Sequence, residues 1–321
     1  VARITTVTGW NERLGAWKVR WGIGRNDFIV PPGLYAIGQP KPDDPVVVTA
    51  NYQMTFDIVR RALDGRNVWL LVLETYGINV WCAAGKGTFG TGEVVRRVTS
   101  TRLAEVVSHR RLILPILGAA GVSAPQVAAR CGFSVNYAAI RAADLPAYLD
   151  GGMITTRQMG ELTFSLHERL VLIPVELVLA MKWLLPAAAV LFLVGAITGG
   201  MPAGITMALA LTGAALAGIA AAPLLLPWLP SRSFALKGAC TGLAWSIALH
   251  LMAKGGSWGL PVNLAALLAL PAVSAYCTLS FTGCTPFTSR SGVKKEMRLG
   301  LPLMAVSIFL AGILLIIGGI V

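Results

Sequence analysis

Pro45-Val46-Val47-Val48-Thr49-Ala50 and Val68-Trp69-Leu70-Leu71-Val72-Leu73 are two short apolar runs, the first of them β-branched, and Phe56, Val59 and Leu63 recur between them at helical spacing. This is a strand, a helix and a second strand. The alternation continues outward. After a short segment at Asn79 to Lys86 come a helix around Glu93 to His109, a third strand Leu112-Ile113-Leu114, a helix over Pro125 to Cys131 and a fourth extended run from Val135 to Ile140. Strand alternating with helix predicts an α/β, Rossmann-like fold with a parallel sheet covered by helices on both faces. Ligands of such sheets bind beyond the carboxyl ends of the strands. Thr49 and Asn51 close the first strand, and the loop Glu74 to Asn79 closes the second, so both end at one edge.

That loop leads into Asn79-Val80-Trp81-Cys82-Ala83-Ala84-Gly85-Lys86. Asn79 suits a helix cap, Cys82 falls about three residues inside, and Gly85 or Gly87 ends the turn. The helix N-terminus and Lys86 favour a thiolate at Cys82, which makes it a candidate soft-metal ligand or nucleophile. Ala83, Ala84 and Gly85 are small enough for backbone to approach a planar ligand closely, and Thr49 and Asn51 offer hydrogen bonds to its periphery. Gly85, Gly87, Gly90 and Gly92 fit neither the phosphate-loop nor the dinucleotide pattern.

Composition divides the chain. It is 55% hydrophobic, 13% charged, with a mean hydropathy of +0.68, and thirteen of its fifteen Asp and Glu lie before Arg169. Five apolar runs of spanning length follow: about Leu177 to Ile197, Ala203 to Leu226, Leu236 to Ala253, Leu260 to Phe281 and Leu299 to Ile320. The expected organisation is a cytoplasmic α/β domain over 1–155, an amphipathic linker helix over 156–176 and an all-α transmembrane domain of five helices over 177–321. Met159, Leu162, Leu166, Leu170 and Ile173 mark the apolar side of the linker.

Arg232, Lys237, Arg290, Lys294, Lys295 and Arg298 lie in alternate connections, whereas the intervening ones offer only Lys254. The basic side faces the cytoplasm, which predicts a multi-pass protein of the inner, cytoplasmic membrane with its N-terminal domain inside. No secretory signal is visible, and the start at Val1 without a methionine leaves room for a preceding segment. The net charge of +12 is shared between the two halves, so much of it is topogenic. Arg60-Arg61, Arg96-Arg97 and Arg110-Arg111 read as solvated helix ends or as a surface for an acidic protein. No base-stacking motif accompanies them, so nucleic acid is not an expected partner.

The five cysteines form no C-x-x-C pair, which gives no ligand pattern for an iron–sulfur or structural zinc site. Cys131, Cys240 and Cys277 read as packing residues. His109, His167 and His250 show no ligand spacing; His250, within a span, either bonds a neighbouring helix or lines a polar path.

The octapeptide 79–86 resembles the cap-helix signature of the HgcA family, the corrinoid proteins of the microbial mercury-methylation pair. Val48-Thr49-Ala50-Asn51-Tyr52 with Thr55-Phe56-Asp57, and Phe281-Thr282-Gly283-Cys284-Thr285-Pro286-Phe287-Thr288, agree with that family. The early stretch is shared with the corrinoid iron–sulfur protein of the acetyl-CoA pathway, from which this chain departs in lacking cluster ligands. Gly121-Val122 and the run Gly132 to Tyr137, with Phe133 and Tyr137, resemble matching corrinoid-binding loops or are plain packing. Cys284 stands where the family leads us to expect serine; it is read as a tolerated substitution or as a relay for a soft cation.

The resemblance implies a membrane-anchored methyltransferase that passes a methyl group from methyl-cobalt(III) of a cobalamin-type corrinoid to Hg(II). Cys82 would be the lower axial ligand of cobalt, and Thr49, Asn51, residues 79–86, Gly121, Val122, Phe133 and Tyr137 would contact the cofactor. It further implies a methyltetrahydrofolate-linked methyl donor and HgcB, a two-cluster ferredoxin-like partner that supplies electrons and can deliver mercury. A carrier with another methyl acceptor, and a transporter or sensor that binds corrinoid without turnover, are the alternatives.

Overall fold

The structure, a computed structural model, describes residues 1–25, 27–284 and 290–320. Thr285 to Thr288 of the late motif, and the side chain of Cys284, lie outside the described residues. The chain forms two compact units, Val1–Leu162 and Thr163–Val321.

The first unit contains β1 (Ala2–Ile4), α1 (Trp10–Arg20), β2 (Gly33–Ile37), β3 (Val46–Ala50), α2 (Gln53–Ala62), β4 (Val68–Leu73) and α3 (Val80–Lys86). There follow α4 (Thr91–Ser100), α5 (Leu103–Val106), β5 (Arg111–Leu114), α6 (Ala124–Cys131), β6 (Ser134–Tyr137) and α7 (Leu145–Asp150). The sheet order is β1-β2-β4-β3-β5-β6. The four expected strands are β3 to β6, and they are mutually parallel. The sheet as a whole is mostly parallel, as expected, with one antiparallel pairing that the sequence did not mark: β2 pairs antiparallel with β4, Gly33 opposite Val72, and β1 pairs parallel with β2. An antiparallel edge needs no crossover helix. Leu34 to Ile37 therefore lacks the strand–helix alternation that marked the other strands.

Alternation along the strands sends side chains to two cores. Val46, Val48, Leu71, Leu73, Leu112 and Leu114 face Ala83, Val94 and Val127 of α3, α4 and α6. Val47, Leu70, Val72 and Ile113 face Phe56, Val59 and Leu63 of α2 and its end, and Leu145 and Tyr148 of α7. The helix expected over 93–109 is broken after Ser100, where Arg102 takes a left-handed φ of 49°.

No separate linker helix forms over 156–176. A turn at Gln158–Gly160 leaves Met159 buried in the α/β core, its carbonyl accepting from the Ile140 N–H at 2.9 Å. Ser165 then caps a helix that starts at Leu166 and runs on into the apolar residues: its backbone N–H donates to Glu168 Oε2 at 2.6 Å, and the Glu168 N–H donates back to Ser165 Oγ at 3.3 Å. This cap sets the helix start inside the stretch whose periodicity looked continuous.

Among the described residues, four helices in the second unit are long and apolar enough to cross a membrane: Leu166–Leu224, Phe234–Met252, Leu260–Ser280 and Ser291–Gly318. The first is two limbs. Gly200 takes φ 79° and ψ 178°, and a Cβ placed on Gly195 would lie 2.8 Å from the Ala203 carbonyl, a contact that a continuous helix cannot make. The limbs pack back on each other, with Ala180 and Leu184 clustered with Ala215 and Ile219. The five expected apolar runs are thus five helical limbs. Gly213 lies beneath Trp245, whose Nε1 donates to the Ala210 carbonyl at 3.1 Å, and small residues fill the contacts while Leu, Ile and Val point outward. That distribution suits helices packed in lipid. His250 Nδ1 lies 2.9 Å from Asn263 Oδ1 on the next helix, which selects the helix-bonding reading.

Candidate functional site

At the carboxyl end of β3 an open cleft of about 200 Å³ lies on the α2 side of the sheet. Thr49, Thr55 and Ile58 line one wall, Asn79, Val80 and Trp81 another, and Ile140 and Arg141 a third. The wall is mainly apolar. Of its polar groups Thr49 Oγ1 stands apart: it is buried, and among the described residues it is the one buried side-chain N or O atom without a hydrogen-bond partner. Buried hydroxyls are nearly always satisfied, so an orphan in a cleft wall points to a ligand group or water that meets it.

The Cys82 helix is built as its residues dictate. Asn79 is extended, and its Oδ1 accepts from the Cys82 backbone N–H at 2.9 Å, which makes Asn79 the cap. Gly87, at φ 82°, ends α3 in the left-handed region. Trp81 is half-exposed in the cleft wall, and Cys82 follows it directly with an exposed thiol that is not itself part of that wall. Gly85 and Lys86 are exposed at the far end.

Asn51 has a different role from the one expected. It is fully buried, its Nδ2 donates to Glu74 Oε1 at 2.7 Å, and its Oδ1 accepts from the backbone N–H groups of Thr75 at 3.0 Å and Gly77 at 3.3 Å. The Thr75 hydroxyl lies 2.8 Å from the same oxygen and 2.7 Å from the Ile78 carbonyl. Asn51 is therefore committed to the loop that delivers α3. It leaves Thr49 as the free hydrogen-bonding side chain of the pair. The loop needs this fastening, because Tyr76 is held at a left-handed φ of 55°.

Glu93 of α4 braces the loop from outside. It accepts from the Glu74 N–H at 2.9 Å, Arg96 Nε at 2.6 Å and Arg97 Nη2 at 2.7 Å. Burial opposes its ionisation, but the Glu74 N–H and the two guanidiniums outweigh it and lower its pKa. The basic pairs are thus partly structural. Arg60 is buried between Asp57 and Glu12, at 2.7 and 2.6 Å, and Arg110 lies over the Phe133 ring.

Ala83, Ala84, Val122 and Phe133 are buried in the core on the other side of the sheet, away from the cleft. The side chains of these four face that core and not the cleft, which for Val122 and Phe133 is the arrangement of plain packing. Gly121 is needed for close approach, since a Cβ there would lie 2.2 Å from the Phe89 carbonyl and 3.0 Å from Ala84. Tyr137 donates to the Val122 carbonyl at 2.6 Å, and burial pushes its phenol pKa up. These residues support α3 from behind. The sequence reading missed Ile58 and Arg141 as wall residues. Ile58 carried a signal, an apolar residue off the buried face of α2, whereas nothing local marks Arg141.

Comparison with known proteins places the similarity on this unit. Residues 24–129 match the family of the CO dehydrogenase/acetyl-CoA synthase delta subunit. The chain is 40% identical over 97 residues to the acetyl-CoA decarbonylase/synthase complex subunit gamma of Archaeoglobus fulgidus, covering 30% of this chain and 21% of that one. It is 36% identical over 124 residues to the gamma subunit of Methanopyrus kandleri, covering 38% and 26%. The chain spans about a fifth to a quarter of the length of these curated relatives. The matched residues include Thr49, Asn51, the Cys82 helix and Gly121. A domain related to the CO dehydrogenase/acetyl-CoA synthase delta subunit and to these gamma subunits is therefore joined, in this chain, to a set of long apolar helices.

Proposed function

We propose that the α/β unit binds a corrinoid in the cleft beyond β3 and that the chain is a membrane-anchored corrinoid-dependent methyltransferase with Hg(II) as methyl acceptor. The observation that carries the cofactor reading is the orphaned Thr49 hydroxyl in a cleft whose wall includes Trp81, the residue before the exposed Cys82. A corrinoid is a broad macrocycle with peripheral amides. Lying across the mouth of the open, mainly apolar cleft, it would bring one of those amides to the buried, unsatisfied hydroxyl. When bound, it supplies a cobalt centre that takes up and gives away a methyl group.

The chain's own residues have separable tasks. Thr49 binds an amide of the ring, Trp81 covers apolar surface, and Asn79 holds α3 at its first turn. Asn51, through Thr75 and Gly77, and Glu93, through Glu74, hold the preceding loop. Cys82 would supply a soft sulfur donor to the metal of the bound group, and an electron-rich donor there would favour transfer of carbon to a soft electrophile. With no cluster-ligand pattern in the sequence, electrons come from a separate donor, for which the two-cluster ferredoxin-like HgcB is the proposed partner. A methyltetrahydrofolate-linked protein is the proposed methyl source.

The similarity to acetyl-CoA decarbonylase/synthase gamma subunits favours a second reading, a methyl carrier with a different acceptor. One experiment separates the two. Purified protein is reconstituted with cobalamin, its absorption spectrum is compared with that of Cys82→Ala, and methyl transfer is assayed to Hg(II), to a folate and to a thiol. The proposal expects a spectrum that depends on Cys82 and transfer to Hg(II) that is abolished in Cys82→Ala, with the fold retained. Binding without Hg(II) transfer but with transfer to folate or thiol would select the second reading. A spectrum unchanged by Cys82→Ala would remove the axial-ligand role.

A further inference from the structure

The helix α1 lies outside the matched residues and outside the cleft, and it carries an unusual surface. Trp10 and Trp17 are 73% and 70% exposed, and Leu14 and Trp21 are 49% and 42% exposed. At 100° per residue these four positions fall within about 60° of one another. Val19, buried, lies on the opposite side. This orientation is fastened. Glu12 accepts from Arg60 Nη2 at 2.6 Å, Arg60 also donates to the Val7 carbonyl at 3.2 Å, and Gly15 sits against Phe28. The stripe is therefore a built surface that points away from its own unit.

Charge decides among occupants. Arg13 flanks the stripe on one side and Lys18 on the other, both exposed, and Arg20 and Arg25 follow. The single acidic residue between Trp10 and Arg25, Glu12, is turned inward to Arg60. Indole rings flanked by basic residues match the headgroup region of an anionic bilayer. Trp takes its apolar body to the acyl boundary while its N–H stays wet, and Lys and Arg meet lipid phosphates. The same chain carries helices suited to crossing a bilayer, so the lipid surface is present at high effective concentration.

We propose that α1 is an interfacial membrane anchor: the Trp10, Leu14, Trp17 and Trp21 stripe inserts at the headgroup level of an anionic leaflet, with Arg13 and Lys18 on lipid phosphates. This gives the α/β unit an attachment to the membrane besides the chain connection at Leu162 and Thr163. It is independent of the cofactor and of the methyl acceptor.

The test uses the full chain in nanodiscs of phosphatidylcholine with and without phosphatidylglycerol, with shallow brominated acyl chains as fluorescence quenchers. Emission assigned to the stripe by subtracting the Trp10→Phe/Trp17→Phe variant is quenched in anionic discs, and amide exchange slows over residues 10–21. Arg13→Gln and Lys18→Gln each weaken that protection about fivefold. Unchanged exchange across strands 46–50 and 68–73 confirms that the variants are folded. Stripe emission left unquenched in anionic discs overturns the proposal. So does protection that is equal in discs of either charge, or that arises in detergent as protein concentration rises, which would assign the stripe to a second copy of the chain.

Discussion

Two neighbouring side chains at the end of β3 look equivalent in the sequence and are opposite in the structure. Thr49 is unsatisfied, while Asn51 is fully used. Their variants diverge accordingly. Thr49→Val removes a buried hydroxyl that has no partner in the protein, so the cofactor-free chain becomes more stable, by roughly 1 kcal/mol, in denaturant titration. The same change weakens cobalamin binding about tenfold in a spectral titration, the loss of one hydrogen bond. A loss of stability instead would show that the hydroxyl serves the fold. Asn51→Ala leaves the Thr75 and Gly77 N–H groups without their partner and removes one of two donors to Glu74 Oε1, which keeps the Tyr76 N–H at 2.9 Å, at a cost of roughly 2–3 kcal/mol. Hydrogen exchange at Thr75 and Gly77 becomes faster while strands β3 and β4 keep their protection. The positions of Thr49 at a strand end and of Asn79, Trp81 and Cys82 on a capped first turn were readable because strand ends and caps have local signatures. The commitment of Asn51 was not readable, since its partners lie 23 to 26 residues away and meet it only across the sheet edge.

Among elements, the loop from Glu74 to Asn79 with α3 behaves as one cassette, held by Asn51 beneath, Glu93 outside and Gly121 behind. Glu93 gives it a pH dependence with a definite sign. Its pKa is lowered on folding, so its stabilisation is fully present above the unfolded carboxylate value of about 4.3 and is lost as pH falls through the lower folded value. Unfolding titrations from neutral to acid pH are expected to show this loss in the wild type and a smaller one in Glu93→Gln, which starts weaker at neutral pH. Equal acid sensitivity in the two proteins would assign the effect to other carboxylates. Gly121→Ala tests the rear contact. A Cβ there meets the Phe89 carbonyl, so a cost of roughly 1–3 kcal/mol and faster exchange in α3 are expected. The helix and its cap were legible because Asn79 and Gly87 are the chemical signals of a start and a stop. Gly121 was legible only as a loop glycine, because the backbone it approaches belongs to a distant segment.

For the molecule as a whole, the sequence reading divides the chain at 155 and 176, and the structure has two compact units, Val1–Leu162 and Thr163–Val321. Which face of the membrane each connection meets is a proposal from charge. Arg232 and Lys237, and the residues from Arg290 to Arg298, sit on alternate connections from Lys254, and on that charge bias we propose that the α/β unit lies in the cytoplasm. A membrane-impermeant maleimide is expected to label Ser257→Cys in intact cells and Ser231→Cys only after permeabilisation; the reverse pattern inverts the orientation. The late motif does not enter this argument, since residues 285–289 lie outside the described residues.

By itself the sequence determined the strand–helix alternation, the capped cysteine helix, the apolar limbs and the edge at which a ligand would lie, since propensity, capping and hydropathy act over a few neighbouring residues. Only the tertiary structure decided that the sheet is mixed, that the first apolar helix folds back at Gly200, and that Ala83, Ala84 and Phe133 belong to the core. It also decided that Thr49 rather than Asn51 is left free to meet a ligand. Each of these depends on which distant groups are brought within hydrogen-bonding or packing distance, and that is set by the closed fold and not by any local run of residues.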